Sequence, residues 1–124
     1  MDWLAVETRG GSTAFLPGEE IEGTVSWQLA SPGSVELRLL WYTEGKGDQD
    51  SRLVATVPFP NPGTNEVRPF RVRLPAGPFS VSGKLISLLW TLEAVASPGP
   101  APQRLAITVS PARQEIRLDR AGAG

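Results

Sequence analysis

The sequence predicts an all-β protein, an antiparallel two-sheet sandwich of about seven to nine strands. Three observations predict it. Apolar and polar residues alternate with period two along the longer apolar runs, the mark of a strand with one wet face. The 12 prolines and 13 glycines fall mostly between those runs, where they punctuate strands. Nothing in the 124 residues sustains helical periodicity. That length suits one domain, expected over residues 1–120, with 121–124 ("GAG" and the preceding Ala) a frayed tail.

The elements follow in order. "DWLAVE" reads as a first strand, broken by "RGGST", and "TAFLPGE" as a short edge segment ended by Pro17-Gly18. "EIEGTVSWQL" alternates: Ile21, Gly23, Val25, Trp27 and Leu29 share the inward face. After the turn "SPGS", "SVELRLLWYTE" puts Val35, Leu37, Leu39 and Trp41 inward and Glu36, Arg38, Leu40 and Tyr42 outward. The loop "EGKGDQD" leads to "SRLVATVPF", with Leu53, Ala55, Val57 and Phe59 expected inward. "VRPFRVRLP" sends Phe70, Val72 and Leu74 inward, and Pro69 marks an edge strand or a bulge. "PAGPFSVSG" is a turn into a strand from Lys84 to Val95, in which Ile86, Leu88, Trp90, Leu92 and Ala94 face in. "QRLAITVS" turns Leu105, Ile107 and Val109 inward, and "RQEIRLD" reads as one more short strand. The tryptophans are expected to dominate the core, since one large aromatic removes about 150–250 Å² from water.

Composition narrows the chemistry. The chain has no histidine and no cysteine. Ser-His-Asp and Cys-His catalysis are therefore excluded within it, as are disulfides and His- or Cys-ligated metal sites. With 12 basic and 13 acidic residues the formal charge is −1, so a nucleic-acid partner is not expected. The start "MDWLAVETRGG" lacks a long apolar run, and neither a secretory signal nor a membrane span is expected. A cytoplasmic protein without a cofactor is the expectation, in keeping with the absence of cysteine.

Three segments carry a resemblance. "FLPGEEIEGTVSWQL" resembles the opening of an arrestin-fold domain, where a Pro-Gly turn precedes a strand of the form G-x-V. "VELRLLWYTEGKGDQD" resembles its next long strand and loop. "FRVRLPAGPFSVSGKLISLLWTLEA" resembles its most distinctive stretch: a Leu-Pro, a Gly-Pro-aromatic-Ser turn, a Gly, then Leu-Ile and a Trp-x-x-Glu-Ala strand. The relatives implied are arrestins, alpha-arrestins, the arrestin-like retromer subunit and bacterial sporulation-control proteins. The resemblance implies an immunoglobulin-like sandwich that binds partners and has no catalytic activity. Arrestins pair two such sandwiches and this chain has room for one, so the family's inter-lobe polar core and phosphate-sensing residues do not carry over.

Several side chains invite a functional reading. Gly83-Lys84 lacks the P-loop pattern: Pro78 stands where the first glycine belongs and Leu85 where the Ser/Thr belongs. Gly45-Lys46 fails in the same way, with Leu40 and Gly47 at those positions. The loop residues Glu44, Lys46 and Asp48 are candidates for partner contact; with Asp50 they offer oxygen ligands without EF-hand order, and no metal is assigned. Arg71 and Arg73 lie on one strand face and suit either cross-strand pairing, with outward acids such as Glu36, or an anion-recognition patch. If the strands carrying them are neighbours, outward Leu85 and Leu89 meet Leu40 and Tyr42 in an exposed apolar patch, a candidate interface.

The function expected from these features is a non-enzymatic protein-interaction or scaffold module. Its partner is another protein, with homo-oligomerisation compatible. One alternative is a secreted carbohydrate-binding or adhesion module, which requires a row of exposed tryptophans, whereas Trp27, Trp41 and Trp90 are expected to be buried. A carboxylate-based hydrolase is a further alternative; the acids lie mainly in turns and on wet faces, which argues against a convergent pair.

Overall fold

The computed structural model describes residues 1–45, 49–82, 86–111 and 116–117. Among them are ten strand segments: β1 (Trp3–Thr8), β2 (Ala14–Phe15), β3 (Glu20–Gln28), β4 (Ser34–Gly45), β5 (Ser51–Phe59), β6 (Asn65–Arg73), β7 (Val81–Ser82), β8 (Ile86–Ser97), β9 (Gln103–Val109) and β10 (Ile116–Arg117). A 3-10 turn at Arg9–Gly11 follows β1. The smaller sheet has the order β1-β3-β6. The larger runs β10-β7-β8-β4-β5, with β9 added to β8 and β2 to β9. The protein is an all-β sandwich, and every pairing between its long strands is antiparallel. The antiparallel expectation fails only for two-residue segments: β2 runs parallel to the end of β9, and β10 parallel to β7. Segments distant in sequence meet there, so no tight turn imposes an antiparallel arrangement.

The inward residues of the alternating runs form one core. Ile21, Val25, Trp27, Phe70 and Val72 of the smaller sheet are buried in one cluster with Leu37, Leu39, Trp90, Leu92 and Ala94 of the larger. Trp27 and Trp90 are 0% and 1% exposed, and Trp41 packs against the same cluster. Their indole N–H groups are satisfied as burial demands. Trp27 Nε1 donates to the Gly63 carbonyl at 2.8 Å, and Trp90 Nε1 to the Pro78 carbonyl at 2.9 Å. Ser80, in the Gly-Pro-Phe-Ser turn, is buried: its N–H donates to the Val109 carbonyl at 2.7 Å and its Oγ accepts from the Val109 N–H at 2.9 Å. That serine ties the turn to the end of β9.

Two expected inward residues point elsewhere. Trp3 is 43% exposed, because the inward set of β1 is Leu4, Val6 and Thr8. Leu53 is 55% exposed. The β4–β5 register shifts between Leu39 and Leu40, so that Leu39 faces Ala55 and Leu40 faces Leu53, with Val54 inserted between. One extra residue reverses the facing of everything beyond it. Pro69 lies on β6, which is an edge strand as its proline suggests. Strand β8 runs to Ser97, two residues past the expected end, and Gly83, Lys84 and Leu85 lie outside the described residues.

Gly23 stands in the inward register of β3, opposite Phe70. A Cβ there would lie 2.1 Å from the Glu7 carbonyl oxygen and 2.7 Å from the Phe70 ring. The glycine lets β1 and the phenyl ring close over the strand. Gly23→Ala should therefore destabilise the fold by about 1–3 kcal/mol, read as a shifted urea midpoint, and Phe70→Leu in the same chain should recover part of that loss.

The β5–β6 connection is held by side chains from β3 and β6. The Arg68 guanidinium lies 5.7 Å over the Trp27 ring and donates to the Asn61 carbonyl at 3.1 Å and to Glu66 at 2.9 Å. The Glu66 carboxylate also accepts the Gly63 N–H. The Arg68 hydrogen bond, followed by the one from Gly63, holds the Glu66 carboxyl below its ordinary range. A carboxyl whose pKa is lower folded than unfolded contributes stability above its unfolded pKa and loses it as pH falls through the folded value. Wild-type stability should thus drop more steeply than that of Glu66→Gln below about pH 4.3, the unperturbed glutamate value. Parallel slopes in denaturation series across that range would count against the clasp.

Candidate functional site

The outer face of the larger sheet is set by the pairing of β4 with β8. Directly opposed residues in antiparallel strands share a face. Tyr42 lies opposite Leu89, and Leu40 opposite Thr91 on one side and Leu53 on the other. Leu40, Tyr42 and Leu89 are half-buried, and Leu53 is the exposed member. Three adjacent strands therefore bring four apolar or aromatic side chains into one strip. Leu85 lies outside the described residues. Leu53 was missed at the sequence level because the inserted residue that turns it outward depends on pairing with β4.

Beside the strip runs a row of charges from β4, β8 and β9. Arg38 Nε donates to Glu36 at 2.8 Å and its Nη1 lies 3.8 Å from Glu93. Arg104 Nε donates to Glu93 at 2.7 Å. Glu93 faces outward, as its alternation implies, yet is only 7% exposed, because the two arginines lie over it. The Arg38 guanidinium is raised above its ordinary value, chiefly by the hydrogen bond to Glu36. Glu93 is a carboxylate removed from water and dependent on its guanidinium partners. Arg104→Ala should cost about 1–2 kcal/mol of stability, measurable by chemical denaturation, and a cost below the error of that measurement would mean that Arg38 alone satisfies Glu93.

The strip ends at the β4–β5 hairpin. Thr43 N–H donates to the Asp50 carbonyl at 2.8 Å, and the Asp50 N–H to Thr43 Oγ1 at 2.9 Å, which closes its base. Tyr42, Thr43, Glu44, Asp50 and Arg104 line a polar depression of about 360 Å³ there. Glu44 thus joins the face that holds Tyr42, while Lys46 and Asp48 lie outside the described residues. Among the described residues no group of three acids is placed to hold a metal ion.

Arg71 and Arg73 lie on the other sheet. Arg71 reaches Glu22 at 3.0 Å and Glu20 at 3.5 Å; Arg73 reaches Glu20 at 3.8 Å and donates to the Gly18 carbonyl at 3.0 Å. Their acids are the cross-strand neighbours in β3, and Glu36 belongs to the opposite sheet. Arg9 adds a bond of 2.9 Å to Glu22. A shallow depression of about 570 Å³ lies beside this network, lined by residues that include Arg9, Glu22, Pro69 and Arg71. The candidate residues therefore divide between two faces on opposite sides of the sandwich.

A three-stranded sheet packed on a larger one, with the Gly-Pro-Phe-Ser segment leading into β7 beside the central strand β8, gives this chain an arrestin-like β-sandwich fold, as its three segments resemble. The particular solved structure that it is similar to is Spo0M, a sporulation control protein from Bacillus subtilis. The two align with a TM-score of 0.62 at 20% identity, over 88% of this chain and 49% of that one. This chain thus spans about half the length of Spo0M, and the likeness is one of fold. A beta-glucosidase from Listeria innocua, solved with gluconolactone, aligns at a TM-score of 0.41 and 13% identity over 93% of this chain and 16% of its own, too loosely to carry an assignment. The sequence matches no protein-family model and no curated protein.

Proposed function

We propose that this chain is a non-enzymatic protein-interaction module that receives a protein partner on the outer face of the larger sheet. The observation that carries the reading is the strip of Leu40, Tyr42, Leu53 and Leu89 across three neighbouring strands, beside the Arg38–Glu93–Arg104 row. An apolar centre with tyrosine and arginine at its border is the composition of an interface core and rim. The lack of histidine and cysteine supports a binding role over catalysis. The missing cysteine also supports placing that role in the cytoplasm. With Trp27 and Trp90 buried and Trp41 half-buried, Trp3 is the one exposed tryptophan, and a sugar-binding row of tryptophans finds no support. The fold is shared with a sporulation control protein, and control exerted by binding is in keeping with the reading.

Leu89→Glu, alone and with Leu40→Glu, should abolish capture of the proteins that the wild-type chain retains from extracts of its native cell. Thermal melting should remain cooperative, since both side chains lie on the outer face. Retention of the same proteins in the same amounts by the variants would sink the proposal.

A further inference from the structure

We infer that a second copy of this chain docks edge to edge on β5, antiparallel, to continue the larger sheet across a two-fold axis. Among the described residues strand β5 ends that sheet, and one row of its backbone N–H and C=O groups has no strand beside it. Edge strands are ordinarily guarded by charge and proline. On the same side of the sandwich β6 has that guard, with Glu66, Arg68, Arg71 and Arg73 around Pro69. Strand β5 has one charge in nine residues, Arg52, and its proline, Pro58, stands next to its end.

The choice of a second copy rests on the inserted residue. Ser51, Leu53, Thr56 and Pro58 lie in the outer register, opposite Tyr42, Leu40, Arg38 and Glu36. Arg52, Ala55 and Val57 lie in the inner register, opposite Trp41, Leu39 and Leu37, and Val54 packs against the core. From Ser51 to Pro58 the faces therefore run outer, inner, outer, inner, inner, outer, inner, outer. A regularly alternating peptide matches these faces on one side of the Val54–Ala55 doublet only. A strand with the same doublet matches throughout, and β5 read backwards has the identical order. One register satisfies both faces: Leu53 opposite the second copy's Thr56, and Val54 opposite the second copy's Ala55. The axis passes between the doublets, as an isologous interface requires. Pro58 then falls opposite the second copy's Ser51, at the end of the ladder, where its missing N–H removes at most a terminal bond. Leu53, 55% exposed in one copy, gains a neighbour on the open side.

The register is tested by charge. Leu53 and Thr56 are both exposed, so the fold accepts substitution there. Sedimentation velocity of the full chain over a concentration series should show a reversible dimer. Leu53→Lys with Thr56→Lys sets two lysine pairs across the axis and should weaken that dimer about tenfold or more. Leu53→Lys with Thr56→Glu sets two opposite-charge pairs and should restore it, with melting curves confirming that each variant is folded. Leu89→Glu should leave the dimer intact, which separates this edge from partner docking on the sheet face. A wild-type chain that stays monomeric at every concentration overturns the inference. So does a double-lysine variant as dimeric as wild type, or a Lys/Glu variant that fails to regain the dimer.

Discussion

The pairing of β4 with β8 is the constraint on which both faces of the larger sheet depend. Each strand has twelve residues, and their register is unbroken from Ser34 opposite Ser97 to Gly45 opposite Ile86. It places Trp41 against Trp90 and Leu39 against Leu92 on the core side, and Tyr42 against Leu89 and Arg38 against Glu93 on the outer side. A slip of β8 by one residue would bring Glu93 into the core and turn Trp90 into water. The cost of stranding a carboxylate among leucines makes that register far lower in energy than its neighbours. The Trp90 bond to Pro78 and the Glu93 bonds to Arg38 and Arg104 fix the ladder from its two faces at once.

The charged networks of the two sheets differ in kind. On the smaller sheet, Arg9, Arg71 and Arg73 are 81%, 68% and 69% exposed, and their bonds to Glu20 and Glu22 stretch from 2.9 to 3.8 Å. Pairs of that exposure contribute about 0–1 kcal/mol each and are screened by salt. They keep one face wet and guard the β6 edge. On the larger sheet the carboxylate is buried beneath its guanidinium partners, so the Arg104 and Arg38 positions are constrained by Glu93. Ordered arginines next to an apolar strip would lose little side-chain entropy on binding, which supports the proposed docking on this face over the smaller sheet.

What the sequence disclosed is what depends on neighbours in the chain. The alternation of residues 20–29 and 34–42 is a local property, and it identified Ile21, Val25, Trp27, Leu37 and Leu39 as core and Leu40 and Tyr42 as outward. The Gly-Pro-Phe-Ser turn and the strand after it were legible as a motif, although the bond from Ser80 to Val109 spans 29 residues and leaves no local trace. Leu53 was misread for the same reason. Leu53, Val54 and Ala55 are three apolar residues in a row, so the sequence of the strand suits Leu53 on either face, and the choice is made only in the pairing with β4. Arg71 and Arg73 were legible as paired cations, but the identity of their partners is a matter of sheet order: Glu20 and Glu22 are farther from them in sequence than Glu36, yet lie beside them across the β3–β6 ladder.

That single inserted residue links the two surfaces. By turning Leu53 out it extends the apolar strip from β4 and β8 to the edge of the sheet, and by doubling the inward positions at Val54 and Ala55 it makes the edge selective for a strand of the same design. An unbroken β5 would bury Leu53 and present an alternating edge to any extended peptide. The bulge narrows that choice, because a regular strand must either stop at the doublet or repeat the two-against-one mismatch that β4 accepts. Strand β4 accepts it with support from β8 along its whole length; a free peptide has no such support and bears the lost pairing alone. In the proposed dimer, selectivity at this edge would therefore come from what the bulge excludes, and edge pairing would leave the apolar strip to the proposed partner on the sheet face.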